Sequence, residues 1–441
     1  MIIVILSTVV GAGISSLLSC VPGLHIYNVL GIMAIGIHVL GTCGVVVTPE
    51  VMIPFTASMI VGYAMLNTIP SVLLAAPDES ALFTVLPGQK YLMSGRGYEG
   101  TMITAIGGLV GLFLLVLVVG PLAPRLLPVA RRVFQPHVHW ILWCVICFML
   151  MSEWPKGGTM GQAGWAKFLN AWRSLGFGLL TFMLSGLLGF ALIYRSPIST
   201  EAAFQNLMPG FVGLFAMPWL VLNIASGTEV PPQSATGLSG IRRDLVLRGA
   251  VAGGLGGGFA AFFPVVTGGV GGFLAGHATA LRDDRAFLIS QGTSKIVYYV
   301  GGFLLFFVPG LGMTRGGGAW LLRGLYIPHS YADYYMVLAS IAIAGAVSFL
   351  LVSPLARGTI WLIGRYGYRR ISCVALTVIL ALVLAVTGWM GIFVMLVGTG
   401  IGLIPVLFGS RRMNCLGVVL LPMACNMSGV GPVVARWLGL L

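Results

Sequence analysis

A chain of 441 residues that is 58% hydrophobic and 8% charged, with a mean hydropathy of +1.00, is excluded from the water-soluble folds, where about a quarter of residues are charged. Its apolar runs are long and continuous, as at 103–119 and 374–386, which excludes a membrane β-barrel built from short alternating strands. The formal charge of +13, from 24 Lys and Arg against 11 Asp and Glu, is what basic cytoplasmic loops produce and calls for no nucleic-acid partner.

Taken in chain order, residues 1–20 lack the basic start and small-residue cleavage site of a secretory signal, so they are expected to form a retained first helix. Further apolar stretches follow near 29–47, 51–76, 101–128, 138–152, 174–194, 208–226, 248–281, 286–309, 334–354, 371–408 and 415–435. At roughly 20 apolar residues per crossing, the pattern predicts an all-α polytopic membrane protein of about ten to twelve transmembrane or re-entrant helices. The expected location is the cytoplasmic membrane of a prokaryote. The basic loops 124–132 (Arg125, Arg131, Arg132) and 357–370 (Arg357, Arg365, Arg369, Arg370), with Arg411 and Arg412, are expected to face the cytoplasm.

The first stretch ends in a break, Pro22-Gly23-Leu24-His25-Ile26-Tyr27-Asn28, and a second break, Pro264-Val265-Val266-Thr267-Gly268-Gly269, lies inside the run 248–281. Gly11 stands eleven residues before Pro22 and Gly253 eleven before Pro264. This echo predicts two pseudo-repeated halves, 1–240 and 241–441, each with a helix broken at mid-membrane. Irregular backbone at that depth is tolerated only where protein or a wet cavity covers it, and paired breaks in two halves point to a central binding site. The competing reading is that Gly253, Gly254, Gly257 and Gly258 form a small-residue packing face.

Polar groups at membrane depth are costly and are therefore functional candidates. His25 and Asn28 offer a titratable ring and an amide, or else a histidine that merely packs between helices. Asp78 and Glu79, in Pro77-Asp78-Glu79-Ser80, suit a coupling cation or a gate; Asp78 would equally cap a short helix starting near Ser80. Cys144 and Cys147 form a CxxC with no second ligand pair nearby and read as buried small apolar residues. Thr267, Gly268 and Gly269 after the second break offer backbone N–H groups to an anion. Ser290, Gln291, Thr293, Ser294 and Lys295 place hydroxyls and an amide before an ammonium, a set suited to a carboxylate or phosphate. Alternatively Lys295 snorkels to the interface, with Tyr298 and Tyr299 as belt residues. Arg282, Asp283, Asp284 and Arg285 read as a solvated loop.

No GxxxxGK[ST], HExxH or GxSxG motif occurs, so neither ATP hydrolysis by the usual loop nor hydrolytic chemistry is expected, and no cofactor or metal is called for. Secondary transport is the activity that fits. The segments VVGAGISSLLSCVPGLHIYN, PSVLLAAPDESALFTVLPGQKYLMSGRGYEG, FFPVVTGGVGG and RRMNCLGVVLLP together resemble the large permease subunit of tripartite tricarboxylate transporters (TctA-like), in its shorter archaeal-type branch.

The resemblance runs through most of the chain. It implies a permease that moves a small anionic solute of the carboxylate type, coupled to H⁺ or Na⁺, with a small membrane subunit and an extracytoplasmic binding protein as partners. Within it, Pro22, Gly23, His25 and Asn28 match the first break, and Pro264, Thr267 and Gly268 the second. PVVTGGVGG is also similar to a turn of bacterial polyprenyl-phosphate translocases, which implies a lipid flippase instead. A structural membrane protein without transport is the third expectation.

Overall fold

The computed structural model describes residues 1–155, 164–198, 206–227, 229–235, 237, 240–279 and 283–441, without the side chain of Asn28. Arg282 lies outside the described residues. Among those described there are twenty α-helices and no strand. The first eight are α1 (Ile2–Leu18), α2 (Ile26–Thr42), α3 (Pro49–Leu66), α4 (Thr68–Leu73), α5 (Val85–Met93), α6 (Gly97–Phe113), α7 (Gly120–Phe134) and α8 (Val138–Met151). Then come α9 (Gly164–Tyr194), α10 (Met208–Phe211), α11 (Met217–Ser226), α12 (Arg243–Phe262), α13 (Gly268–Ala278), α14 (Asp284–Ile296), α15 (Gly302–Phe307) and α16 (Gly316–Arg323). The chain closes with α17 (Tyr331–Tyr366), α18 (Tyr368–Phe408), α19 (Gly417–Met427) and α20 (Gly431–Trp437).

Seven stretches of the described chain are long and apolar enough to cross a bilayer: Pro49–Leu73, Gly97–Met151, Gly164–Tyr194, Met208–Ser226, Arg243–Phe262, Tyr331–Tyr366 and Tyr368–Phe408. An eighth follows if Arg412–Met427 and Gly431–Trp437, bent by 117°, count as one. The 55 residues of Gly97–Met151 exceed one crossing, because at about 1.5 Å per residue they would run more than twice the ~30 Å hydrocarbon core. Pro124, Pro128 and a 3₁₀ turn at Gln135–His137 interrupt that run. The protein is an all-α polytopic membrane protein.

Two compact units make up the chain. Unit 1 comprises Met1–Arg132 and Asn223–Ala375; unit 2 comprises Val133–Leu222 and Leu376–Leu441. In unit 1, α14 is clamped between α12 and α6 by close backbone approach. An added Cβ on Gly253 of α12 would lie 2.4 Å from the Ser290 carbonyl oxygen, and one on Gly257 would lie 2.6 Å from that of Ser294. On the opposite side, a Cβ on Gly107 of α6 would sit 2.1 Å from the Ile289 oxygen. Lipid supplies no hydrophobic drive between helices, so such small-residue faces are what lets them pack.

The small-residue reading of Gly253 and Gly257 therefore holds alongside the break that follows them. Gly253→Ala is expected to lower thermal stability in detergent by about 1–3 kcal/mol, the usual cost of overpacking. An unchanged melting temperature would refute the clamp.

In unit 2, α8 and α9 pack on α19, and the indole N–H of Trp143 donates to Ser428 Oγ at 2.9 Å. The expectation of buried cysteines at 144 and 147 is corrected, since both are exposed on the outer face of α8. A lipid-facing surface is as apolar as a core, so an apolar run alone does not tell which side of a membrane helix turns inward.

Candidate functional site

Three interruptions of helical backbone meet in unit 1. The chain leaves α1 after Leu18 and reaches α2 through Gly23, at φ 76°, and His25, whose Nδ1 accepts the backbone N–H of Tyr27 at 3.2 Å. Between α12 and α13 it passes Val265, at φ 55°, and Thr267, whose hydroxyl accepts the N–H of Val270 at 3.4 Å. Between α4 and the 3₁₀ turn Leu82–Thr84 it passes Ala75, at φ 50°, and then Asp78 and Glu79.

Among the described residues Ala75 and Val265 are the non-glycine positions at positive φ. For a β-branched valine this is a real outlier, and such strain, of order 1–3 kcal/mol, persists where surrounding structure over-determines it.

The loop carrying Asp78 and Glu79 is the meeting point. From the first break, His25 Nε2 lies 3.2 Å from Glu79 Oε1. From the second, Gly269 comes so close that an added Cβ would stand 2.7 Å from the Ser80 carbonyl oxygen. Ser294 Oγ of α14 donates to the Gly268 carbonyl at 2.6 Å, tying the start of α13 to the helix that bears Lys295. Lys295 Nζ donates to Asn67 Oδ1 at 2.5 Å and stands 3.7 Å from Asp78 Oδ2. Its side chain is 3% exposed, so it does not snorkel.

The two oxygens of Asp78 have different tasks. Oδ1 accepts the N–H groups of Ser80 and Ala81 and the Ser80 hydroxyl at 2.7–3.0 Å; this closes a turn and does not cap a helix near Ser80, since the 3₁₀ turn begins at Leu82 with Ala81 as its N-cap. Oδ2 accepts the Tyr63 hydroxyl at 2.9 Å and faces Lys295. The Tyr299 hydroxyl sits 3.2 Å from Asp78 Oδ2, 3.0 Å from Glu79 Oε1 and 3.1 Å from His25 Nε2. Its one hydrogen can go to only one of the two carboxylates at a time.

Because His25 Nδ1 accepts a backbone N–H, the proton of the neutral ring is on Nε2. In formal charges, two carboxylates against one ammonium leave the cluster with one surplus negative charge. The ligand-type atoms of His25, Asp78 and Glu79 all lie within 4.8 Å of one another, and with His25 Nε2 protonated it is the two carboxylates that would meet a bound cation. Carboxylate oxygens with few other donors favour a hard ion such as Na⁺, or a proton, over a soft metal.

Of the residues singled out from sequence, His25, Asp78, Glu79 and Lys295 come together, and Gly268, Gly269 and Ser294 adjoin them. Pro22, Gly23, Pro264 and Thr267 shape the two breaks. Ser290 and Thr293 face elsewhere: Ser290 Oγ donates to the Phe287 carbonyl of its own helix, and Thr293 Oγ1 to the Gly107 carbonyl at 2.7 Å. The side chain of Asn28 lies outside the described residues.

Sequence reasoning missed Tyr63 and Asn67, each at most 3% exposed, and left Tyr299 as a belt residue. One signal was Asn67, an amide inside the apolar run 51–76. Tyr299 is turned inward by a π-helical turn at Val297–Gly301, a distortion frequent at functional sites that composition does not reveal.

Comparison with known proteins adds three findings. The model of the family described as "Tripartite tricarboxylate transporter TctA family" matches residues 5–417. The chain is 24% identical over 406 residues to "Uncharacterized protein MJ1079" of Methanocaldococcus jannaschii, covering 91% of this chain and 93% of that protein. No solved structure matches.

Proposed function

Since the chain belongs to the TctA family of tripartite tricarboxylate transporters, we propose that it is the permease of such a system, moving a small anionic carboxylate across the cytoplasmic membrane by cation-coupled alternating access. The cluster of His25, Asp78, Glu79 and Lys295 is its coupling-cation site. The observation that carries this reading is the buried, unmatched negative charge of that cluster. Lys295 serves as an internal counter-ion to Asp78 and not as the solute's partner, because its ammonium is already met by Asn67 and Asp78. The breaks at 22–28 and 264–269 supply irregular backbone, with the N–H groups of Gly268 and Gly269 opening α13 beside the cluster.

Moving an anion inward against an inside-negative potential costs about 2.3 kcal/mol per charge per 100 mV. A cation that enters with the solute offsets that cost, and a site holding one surplus negative charge suits Na⁺ or H⁺. The two halves 1–240 and 241–441 would then be related by the echo of Gly11/Pro22 in Gly253/Pro264. A small membrane subunit and a solute-binding protein are the partners that a tripartite system supplies.

The test is uptake of radiolabelled citrate and other carboxylates by proteoliposomes containing the complete assembly, with imposed Na⁺ or pH gradients. Accumulation that requires one of these gradients is expected. Gradient-independent equilibration, or movement of a polyprenyl phosphate in place of carboxylates, would overturn the reading.

A further inference from the structure

Unit 2 holds a buried arginine that forms no ion pair with the described residues. Here the loop after α18 runs through Gly409, at φ 75°, and Ser410 into a 3₁₀ turn at Arg412–Leu416. Glu153 holds this turn in place: its Oε1 accepts the backbone N–H of Arg411 at 2.6 Å and the amide of Asn414 at 3.1 Å. The turn delivers Arg412 against Trp219 of α11, with Cζ 4.5 Å from the indole ring centroid.

All three guanidinium nitrogens of Arg412 are buried and lack a hydrogen-bond partner among the described residues, and no carboxylate there forms an ion pair with it. The indole N–H of Trp219, the Ser410 hydroxyl and Asn414 Oδ1 are buried and unpartnered as well.

A guanidinium is charged at every accessible pH, and burying it without an anion is among the most costly arrangements a protein can hold. The indole covers one face of the group, yet stacking satisfies none of its five N–H donors, which radiate in the plane of the fork. What that plane matches is a planar, two-oxygen acceptor such as a carboxylate, bound through two parallel N–H···O bonds. The basic loop expected at 411–412 therefore keeps Arg411 at the turn's backbone but directs Arg412 inward.

We propose that Arg412, with its face on Trp219, is a carboxylate-binding site of unit 2 that takes the transported solute. This deepens the transport reading and rests on it: the cation would be held at the carboxylates of the unit 1 cluster, and the anion at Arg412, whose guanidinium has no hydrogen-bond partner among the described residues. Trp219 is a positioning residue that also offers its indole N–H as a further donor.

The test follows thermal unfolding of the purified full chain in nanodiscs against citrate, inorganic phosphate and chloride at matched ionic strength, in zwitterionic and in phosphatidylglycerol bilayers. Wild type is expected to be stabilised saturably by citrate. Arg412→Met is expected to melt about 2–4 °C higher than wild type without ligand, because an unmatched buried charge is gone, and to lose the citrate shift. Arg412→Lys, keeping charge without the fork, should bind citrate at least ~10-fold more weakly, as should Trp219→Phe; these two carry the test if the methionine variant does not fold.

An Arg412→Met protein that shifts with citrate as wild type does would overturn the site. So would an Arg412-dependent response confined to phosphate or to phosphatidylglycerol. Gradient-driven uptake separates the two levels. A wild type that accumulates carboxylate while Arg412→Met binds citrate normally refutes the site alone, whereas a wild type that neither binds nor accumulates any carboxylate refutes the transport reading with it.

Discussion

Lys295→Met is expected to lower stability by about 3–5 kcal/mol and to abolish gradient-driven uptake. The size follows from burial: removing one member of a buried ion pair leaves its partner's charge uncompensated. Lys295 is 3% exposed and stands 3.7 Å from Asp78 Oδ2, itself on a side chain 6% exposed. With the ammonium gone, Asp78 and Glu79 keep neutral hydrogen-bond donors and His25 but no cationic side chain of lysine or arginine beside them, and Asn67 Oδ1 loses the donor it now accepts from at 2.5 Å.

The double variant Lys295→Met/Asp78→Asn returns the local charge to that of Glu79 alone and is expected to recover most of the lost stability without recovering uptake. That cycle separates folding from function, because residues in one ion-pair network are strongly non-additive. Full uptake by the single variant would remove Lys295 from the transport site, and a double variant no more stable than the single one would refute the pairing with Asp78.

Glu79→Gln is expected to abolish the stabilisation of the protein by Na⁺ or by protons while leaving the cation-free protein at least as stable as wild type. The substitution preserves shape and removes the charge that Lys295 does not match. The glutamine oxygen still accepts from the Tyr299 hydroxyl or His25 Nε2, the two groups now 3.0 and 3.2 Å from Glu79 Oε1. Cation-dependent uptake should fall at least ~10-fold, which corresponds to about 1.4 kcal/mol in the coupling step.

Glu99→Gln is the informative control. Glu99 is also buried, but Arg96 binds both its oxygens at 2.7 Å and Arg285 lies 4.0 Å away, so its charge is already matched. Its replacement should change stability and leave the cation response intact. A cation response lost in both variants, or in neither, would sink the assignment of Glu79.

How much of this was legible beforehand depends on the kind of residue. Lys295, Asp78, Glu79 and His25 stood out one by one because each is polar in an apolar stretch. Their assembly did not, because His25 and Glu79 are 54 positions apart and His25 and Tyr299 are 274 apart. Lys295 was read as a ligand for an anion or as a snorkelling residue, and only the structure shows its ammonium buried beside Asn67 and Asp78. Ser290 and Thr293 looked like equal members of the Lys295 stretch, yet their side chains turn toward their own helix and toward α6. Arg412 read as an exposed basic residue, since nothing in RRMN says which arginine turns inward.

The amino-acid sequence alone determined that the chain lives in lipid as helices, because a bilayer accepts only apolar spans with their backbone bonds made internally. It also pointed to the two breaks, because proline removes a backbone donor and glycine admits left-handed backbone, although Pro54, Pro354 and Pro405 stand inside helices. The tertiary structure alone decided which face of each helix is inside, since lipid and protein core are equally apolar. It likewise decided which charges meet, since the partner of a buried charge is set by packing between helices far apart in the chain.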